Sequence, residues 1–322
     1  MTKINDKPNI VFMGTPAFAA GILSWLVGQG YPVSGVVTIP DKPAGRGQEL
    51  RPSEVKKTAL ALGIPVLQPV MLKDPSFLEN LSRWNVPIFV VVAFRILPRQ
   101  VWQLPTHGCF NLHASLLPMY RGAAPINHAI INGETETGLT TFLIDDHMDT
   151  GGILLQEHIT ISDTDNAGSL HDRMMLRGGP LVARTINGLW SGSLKAFPQQ
   201  PVAWENLKTA PKISKKICRI DWDREPGTIV NLIRGLSPYP CAYSTLRNGD
   251  ISADMKIFKA KAEHARHGHA PGSIFTDKKK TLKVACREGF VHILEIQAPG
   301  KKQLSIEAFL AGFRKTEPIS FS

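Results

Sequence analysis

Cysteine is scarce in this 322-residue chain: Cys109, Cys218, Cys241 and Cys286 lie far apart, with no CxxC spacing. That scatter excludes a disulfide framework and a cysteine-ligated zinc site, and it predicts free structural thiols. Long apolar runs are missing as well. The longest, from Val86 to Phe94, is broken by Pro87 and falls far short of the roughly 20 residues needed to cross a bilayer. Met1 to Lys7 is polar and leads directly into a strand-like run, so no secretory signal is read there and a soluble, cytoplasmic protein is expected. No G-x-G-x-x-G follows the first strand, where Gly14-Thr15-Pro16 stands instead. This argues against nicotinamide dinucleotide binding and leaves Gly14 to serve a tight strand-to-helix turn. Neither an internal repeat nor a low-complexity segment is present.

What remains is an ordinary globular composition, 43% apolar and 20% charged. The length exceeds one compact domain, so two domains of unequal size are expected. The net charge of +10 is unevenly placed. Residues 1–200 hold 16 Lys/Arg against 15 Asp/Glu, a surplus of +1, whereas residues 201–322 hold 21 against 12, a surplus of +9. A basic module beside a neutral one points to a polyanionic partner such as nucleic acid. A merely solvated basic surface is the alternative.

Apolar periodicity organises the first two thirds of the chain. Asn9 to Gly14 reads as a strand, followed by apolar positions at helical spacing through Phe18, Ile22, Trp25 and Leu26. The alternation continues with Val33 to Ile39 (strand), Ser53 to Leu62 (helix), Ile64 to Leu67 (strand), Asp74 to Trp84 (helix) and Ile88 to Phe94 (buried strand). Cys109 to His113 adds a strand, Thr140 to Ile144 and Ile153 to Ile161 a strand pair around a polar turn, and Ser169 to Leu189 a long helix. Such alternation predicts a doubly wound α/β fold with a mostly parallel sheet, whose ligands bind beyond the carboxyl ends of the strands. The stretch from Pro198 to Lys212 has little periodicity and reads as a linker. After a helix at Gly227 to Leu236 come short strands with turn signals at Asn248-Gly249-Asp250 and Pro271-Gly272-Ser273, the pattern of a small β-barrel. The expected division is a catalytic domain over 1–196, a linker over 197–212 and a barrel domain over 213–322.

The segment from Asn111 to Gly122 sets an amide and an imidazole two residues apart at a strand end, which directs both side chains to one side. Acyl transfer to an amine needs a donor for a developing oxyanion and a group that handles protons near neutral pH. Asn111 and His113 supply these types. A carboxylate beside the imidazole would orient it, and Asp145, Asp146 and Asp149 are all candidates. On spacing alone a structural histidine near an Asp-rich turn is the better explanation of the pattern, and catalysis the lesser one. His264, His267 and His269 sit in a loop without supporting cysteines and read as solvated rather than as a metal site.

The run Asn111-Leu112-His113-Ala114-Ser115-Leu116-Leu117-Pro118, with Met148-Asp149-Thr150-Gly151-Gly152 downstream, resembles the signature of the 10-formyltetrahydrofolate-dependent formyltransferases. Pro40 to Gly47 with Arg51 to Lys56, Arg121-Gly122-Ala123-Ala124-Pro125-Ile126, Pro211-Lys212-Ile213-Ser214 and Arg219-Ile220-Asp221-Trp222 are similar to the members that formylate methionyl-tRNA. The resemblance runs from about residue 10 to Lys302. It implies a Rossmann-like formyltransferase domain joined to a smaller OB-like β-barrel domain. It also implies 10-formyltetrahydrofolate as co-substrate, no metal, and initiator methionyl-tRNA as acceptor, giving formylmethionyl-tRNA for translation initiation.

By the same resemblance Asn111, His113 and Asp149 are the catalytic three. Phe94, Ile96, Leu97, Ser115, Leu116, Leu117, Pro118 and Asp145 line the folate site, and Lys42, Arg46, Arg51, Lys212 and Lys215 contact tRNA. A monomer is expected. The chain departs from the family at Phe94-Arg95-Ile96-Leu97-Pro98, which is one residue short and has Arg95 where glycine is common. Arg95 is expected to point to solvent, with the glutamate of the folate as the alternative. Two rival readings are a sister enzyme acting on a small amine, such as an amino sugar nucleotide or glycinamide ribonucleotide, and a non-catalytic RNA-binding protein.

Overall fold

The computed structural model describes residues 7–44, 49–249, 251–313 and 319–322. The chain forms two compact units, each assembled from separate stretches: 1–122, 138–159 and 171–209 in the first, and 123–137, 160–170 and 210–322 in the second.

The first unit is built on seven strands: β1 (Ile10–Gly14), β2 (Val33–Val37), β3 (Val66–Leu67), β4 (Ile88–Val92), β5 (Gly108–His113), β6 (Glu136–Leu143) and β7 (Ile153–Thr160). They lie in the order β7-β6-β5-β4-β1-β2-β3. The run β5-β4-β1-β2-β3 is parallel, while β6 is antiparallel to β5, with Asn111 opposite Phe142 and His113 opposite Thr140. β1 and β4 are apolar at every position and wholly buried, as central strands covered on both faces must be.

Helix α1 (Ala17–Gly28) follows Pro16, α2 (Glu54–Ala61) starts where the Ser53 hydroxyl accepts from the Lys56 amide, and α3 (Pro75–Ser82) starts at an Asp74 cap with Pro75 behind it. On one side of the sheet Phe77, Leu81, Leu97 and Val101 pack against Val11, Met13, Phe89 and Val91. On the other runs α4 (Ala167–Trp190), whose Gly178 lies so close to Ile22 and Leu112 that a Cβ would come within 3.0 Å of each. Gly14 is needed for close approach rather than for turn geometry. It is the last residue of β1, and a Cβ there would sit 2.9 Å from the Val92 carbonyl and 2.7 Å from Ala19.

Phe110, fully buried, alternates on β5 with Asn111 and anchors that strand in the core. Phe110→Ala is expected to destabilise the protein by about 3–5 kcal/mol, read as a lower denaturation midpoint. A change below about 1 kcal/mol would mean that β5 is held by other means.

The second unit centres on α5 (Pro226–Leu236) and strands β8 (Ala242–Asn248), β9 (Ile251–His264), β10 (Ile274–Thr276), β11 (Leu282–Cys286), β12 (Gly289–Gln297) and β13 (Ile319–Phe321). The sheet runs β10-β11-β12-β9-β8-β13, and an antiparallel bridge between Ser273 and Ser320 brings its two ends together into a nearly closed barrel. α5 presents Ile229, Ile233 and Leu236 to the barrel core, where the Trp222 indole donates to Ser244 Oγ at 2.9 Å and stacks on Phe321. The short helix Pro125–Ile131 belongs to this unit through Asn127, which donates to the Gly235 carbonyl at 2.7 Å.

All four cysteines are buried and free. Burial pushes the Cys241 and Cys286 thiols up to about 11, which makes them poor nucleophiles. His267 donates to the Gly289 carbonyl and packs on Phe290. Among the described residues no group of His, Cys, Asp and Glu could hold a metal ion, and no helix is long and apolar enough to cross a membrane.

Candidate active site

Asn111 and His113 leave β5 on one face, because strand side chains alternate. The loop that follows is tied down by buried polar groups. Ser115 Oγ donates to the Met119 carbonyl at 2.6 Å, and Thr140 Oγ1 donates to the Ser115 carbonyl at 2.6 Å while accepting from the Leu117 amide. Gln156 Nε2 donates to the Leu117 carbonyl at 3.0 Å. Ser115 and Leu117 are buried, and Leu116 and Pro118 half-buried, so 115–118 forms a rigid wall beside His113.

His113 is 6% exposed, with Nε2 2.9 Å from the Tyr120 carbonyl. A carbonyl only accepts, so Nε2 carries the proton in the neutral ring and Nδ1 keeps its lone pair. Nδ1 lies 3.9 Å from Asp149 Oδ2, and the same oxygen accepts from the Gly122 amide at 3.0 Å. Uptake of a proton at Nδ1 thus creates a cation facing a fixed carboxylate. Asn111 Oδ1 is buried and has no hydrogen-bond partner among the described residues. A buried acceptor without a partner costs about 1–3 kcal/mol unless water or a bound molecule donates to it.

The turn between β6 and β7 is held in an uncommon conformation. Asp149 has φ +57°, a left-handed value for a residue with a Cβ. Gly151 lies against β6 so tightly that a Cβ would fall 1.7 Å from the Leu143 carbonyl oxygen, which admits only glycine. Of the three aspartates here, Asp145 turns back into the turn, accepting from the His147 amide at 3.0 Å and the Thr150 hydroxyl at 2.9 Å, and Asp146 is exposed. Asp149 is the one directed at His113.

After β4, Phe94 is half-buried against the core, Leu97 is buried and Ile96 is 74% exposed. Arg95 does not point to solvent. Its Nη1 and Nη2 donate to the Val70 and Pro69 carbonyls at 3.0 and 2.8 Å, and burial pulls its pKa below the ordinary value. The guanidinium satisfies main-chain acceptors of a neighbouring loop, a role that carries no sequence signature.

Lys42 and Arg51 stand opposite each other in a hairpin made by Lys42–Ala44 and Glu49–Arg51, where the sequence indicated only a loop. Both are exposed. Like charges directly opposite destabilise a strand pair slightly, and here both side chains reach solvent, which screens them. Arg46 lies outside the described residues. Lys212 and Lys215 are exposed in the second unit, and Lys215 reaches over the Tyr243 ring.

The sequence reading passed over Gln199. Phe197 pairs with Ile153 at the edge of β7 through two main-chain hydrogen bonds, and Gln199, two residues on, donates through Nε2 to the Asp149 and Gly151 carbonyls. Its one signal was a glutamine among prolines in an aperiodic stretch.

Profiles described as "Formyl transferase" and "Formyl transferase, C-terminal domain" match residues 8–186 and 212–314. A methionyl-tRNA formyltransferase of Bacteroides fragilis is 50% identical over 310 residues, covering 96% of either chain. Among solved structures, an N-formyltransferase from Helicobacter canadensis in complex with folinic acid and dTDP-3-aminofucose has TM-score 0.62 at 19% identity, over 92% of this chain and 99% of that one. HypX from Aquifex aeolicus in complex with tetrahydrofolic acid has TM-score 0.63 at 17% identity; the match covers 96% of this chain but spans about half the length of HypX, 49%. The two profiles and the near-complete match at half identity establish that this chain belongs to the formyl transferase family, on its methionyl-tRNA formyltransferase branch.

Proposed function

We propose that the protein moves the formyl group of 10-formyltetrahydrofolate to the α-amine of methionyl-initiator tRNA, releasing formylmethionyl-tRNA and tetrahydrofolate. The observation that carries this reading is the 50% identity to a methionyl-tRNA formyltransferase over nearly the whole chain, and the approach of Asp149 Oδ2 to within 3.9 Å of His113 Nδ1 supports it.

The folate supplies an activated formyl carbon. Asn111 turns its amide to the formyl oxygen and donates as negative charge builds there. His113 Nδ1 takes the proton that the amine loses as its lone pair forms the new C–N bond, and returns a proton to the folate nitrogen as the old C–N bond breaks. Asp149 stabilises the imidazolium between these two events. The wall at 115–118 and the residues Phe94, Ile96 and Leu97 would hold the folate beside the strand ends, where open parallel sheets bind ligands. Asp145 would contribute there by shaping the turn. Lys42, Arg46, Arg51, Lys212 and Lys215 would meet tRNA phosphates. We place the protein in the cytoplasm as a monomer.

Formation of formylmethionyl-tRNA from the two substrates tests the reaction; a folded protein that yields none refutes it. The acceptor is tested by salt. With the five phosphate contacts named above, KM for the tRNA should rise on the order of 10²–10³-fold between about 50 and 200 mM salt, while KM for the folate stays flat. Lys42→Ala combined with Arg51→Ala should lower that salt slope by about 2. A salt-independent KM would favour a small-amine acceptor instead.

A further inference from the structure

We infer that Gln199 is a positioning residue for the reaction: its amide locks the main chain at Asp149 and Gly151 and thereby aims the Asp149 carboxylate at His113. The inference rests on the catalytic role proposed for Asp149. Three hydrogen bonds define the amide. Arg121 Nη2 donates to Gln199 Oε1 at 2.6 Å, and arginine has no acceptor, so the oxygen end must face Arg121. That orientation turns both Nε2 hydrogens the other way, toward the Asp149 carbonyl at 2.8 Å and the Gly151 carbonyl at 2.9 Å. Both donors of the amide are thus used on the two carbonyls that flank Thr150.

These carbonyls belong to the strained part of the turn. Asp149 is left-handed at φ +57°, a conformation unfavourable for a residue with a Cβ that persists only where surroundings over-determine it. Gly151 pressed against Leu143 and the Thr150 hydroxyl on Asp145 constrain the turn from the β6 side. From the opposite side the constraint comes from Gln199, whose own position is set by the Phe197–Ile153 bridge two residues earlier. Arg121 and Gly122 are adjacent: one orients the amide of Gln199, and the amide of the other binds Asp149 Oδ2. A stretch that reads as a linker therefore closes a ring of contacts, Arg121 to Gln199 to Asp149 to Gly122, around a carboxylate 3.9 Å from the imidazole.

Gln199→Met keeps the length of the side chain and removes all three bonds. It is expected to lower kcat about 10- to 100-fold, since a misplacement of about 1 Å costs up to about 10². KM for both substrates should not change. A residue acting through Asp149 adds nothing once that carboxylate is gone, so Gln199→Met in an Asp149→Asn background should cause no further loss, whereas multiplied losses would overturn the inference. Gln199→Glu retains the acceptor for Arg121 but replaces the two donors with a carboxylate oxygen that repels the Asp149 and Gly151 carbonyls; it should be at least as impaired as Gln199→Met, and full activity in Gln199→Glu would overturn the inference. An activity-independent measurement separates this claim from the reaction itself. Hydrogen exchange at the Gly122 amide, followed by NMR, should accelerate in Gln199→Met with the global unfolding midpoint little changed. Unchanged exchange there would overturn the positioning role even in a protein with wild-type turnover. Accelerated exchange in Gln199→Met, with the unmodified protein making no product, would support the brace while refuting the reaction.

Discussion

Asn111→Leu should lower kcat by about 10²–10³ while leaving the protein as stable as before, or more so. Removing one donor to a developing oxyanion costs on that order in other acyl-transfer sites, because the donor is fixed before the charge appears and needs no reorganisation. Stability responds in the opposite sense. Asn111 keeps Oδ1 buried without a partner, and such an atom costs about 1–3 kcal/mol that an apolar side chain of similar shape does not incur. Single-turnover rates and thermal unfolding on the same preparation check both halves. Wild-type kcat in the variant would remove Asn111 from the chemistry, and a large drop in stability would show that its amide is structural.

His113→Ala should cost about 10²–10⁴ in kcat, the usual contribution of a positioned acid–base group. The tautomer enforced by the Tyr120 carbonyl leaves Nδ1 as the acceptor that faces the carboxylate, so free imidazole added to His113→Ala should restore part of the rate. Asp149→Asn retains an oxygen for the Gly122 amide and loses only the charge. Its effect should be smaller than that of His113→Ala, and the double variant should be no worse than His113→Ala alone, because residues acting as one unit are not additive. Independent losses at the two positions would separate Asp149 from the imidazole.

Legibility in the sequence followed the range of the interaction. β1, β4, α1 and α3 could be read directly, since a buried parallel strand is a continuous apolar run, α1 shows apolar residues at helical spacing, and α3 carries its capping Asp74 at the start. The hairpin at Lys42 to Arg51 was not, because three-residue strands have too few positions to show a period. Nor could local pattern show that 123–137 and 160–170 join the second compact unit, which depends on contacts such as Asn127 with Gly235, over a hundred positions apart. Arg95 illustrates the same limit: a charged residue in a loop reads as solvated, yet its guanidinium serves carbonyls 25 and 26 positions earlier.

By itself the sequence determined that Asn111 and His113 share a face at the end of a strand, because a period of two is a property of the local backbone. The family motif, not geometry, singled out Asp149. Only the tertiary structure decided how that carboxylate is presented: through a left-handed residue, a glycine pressed on β6, and an amide fifty positions away in an aperiodic stretch. The physical reason is that backbone carbonyls and amides do most of the holding at this site, and they are the same in every residue.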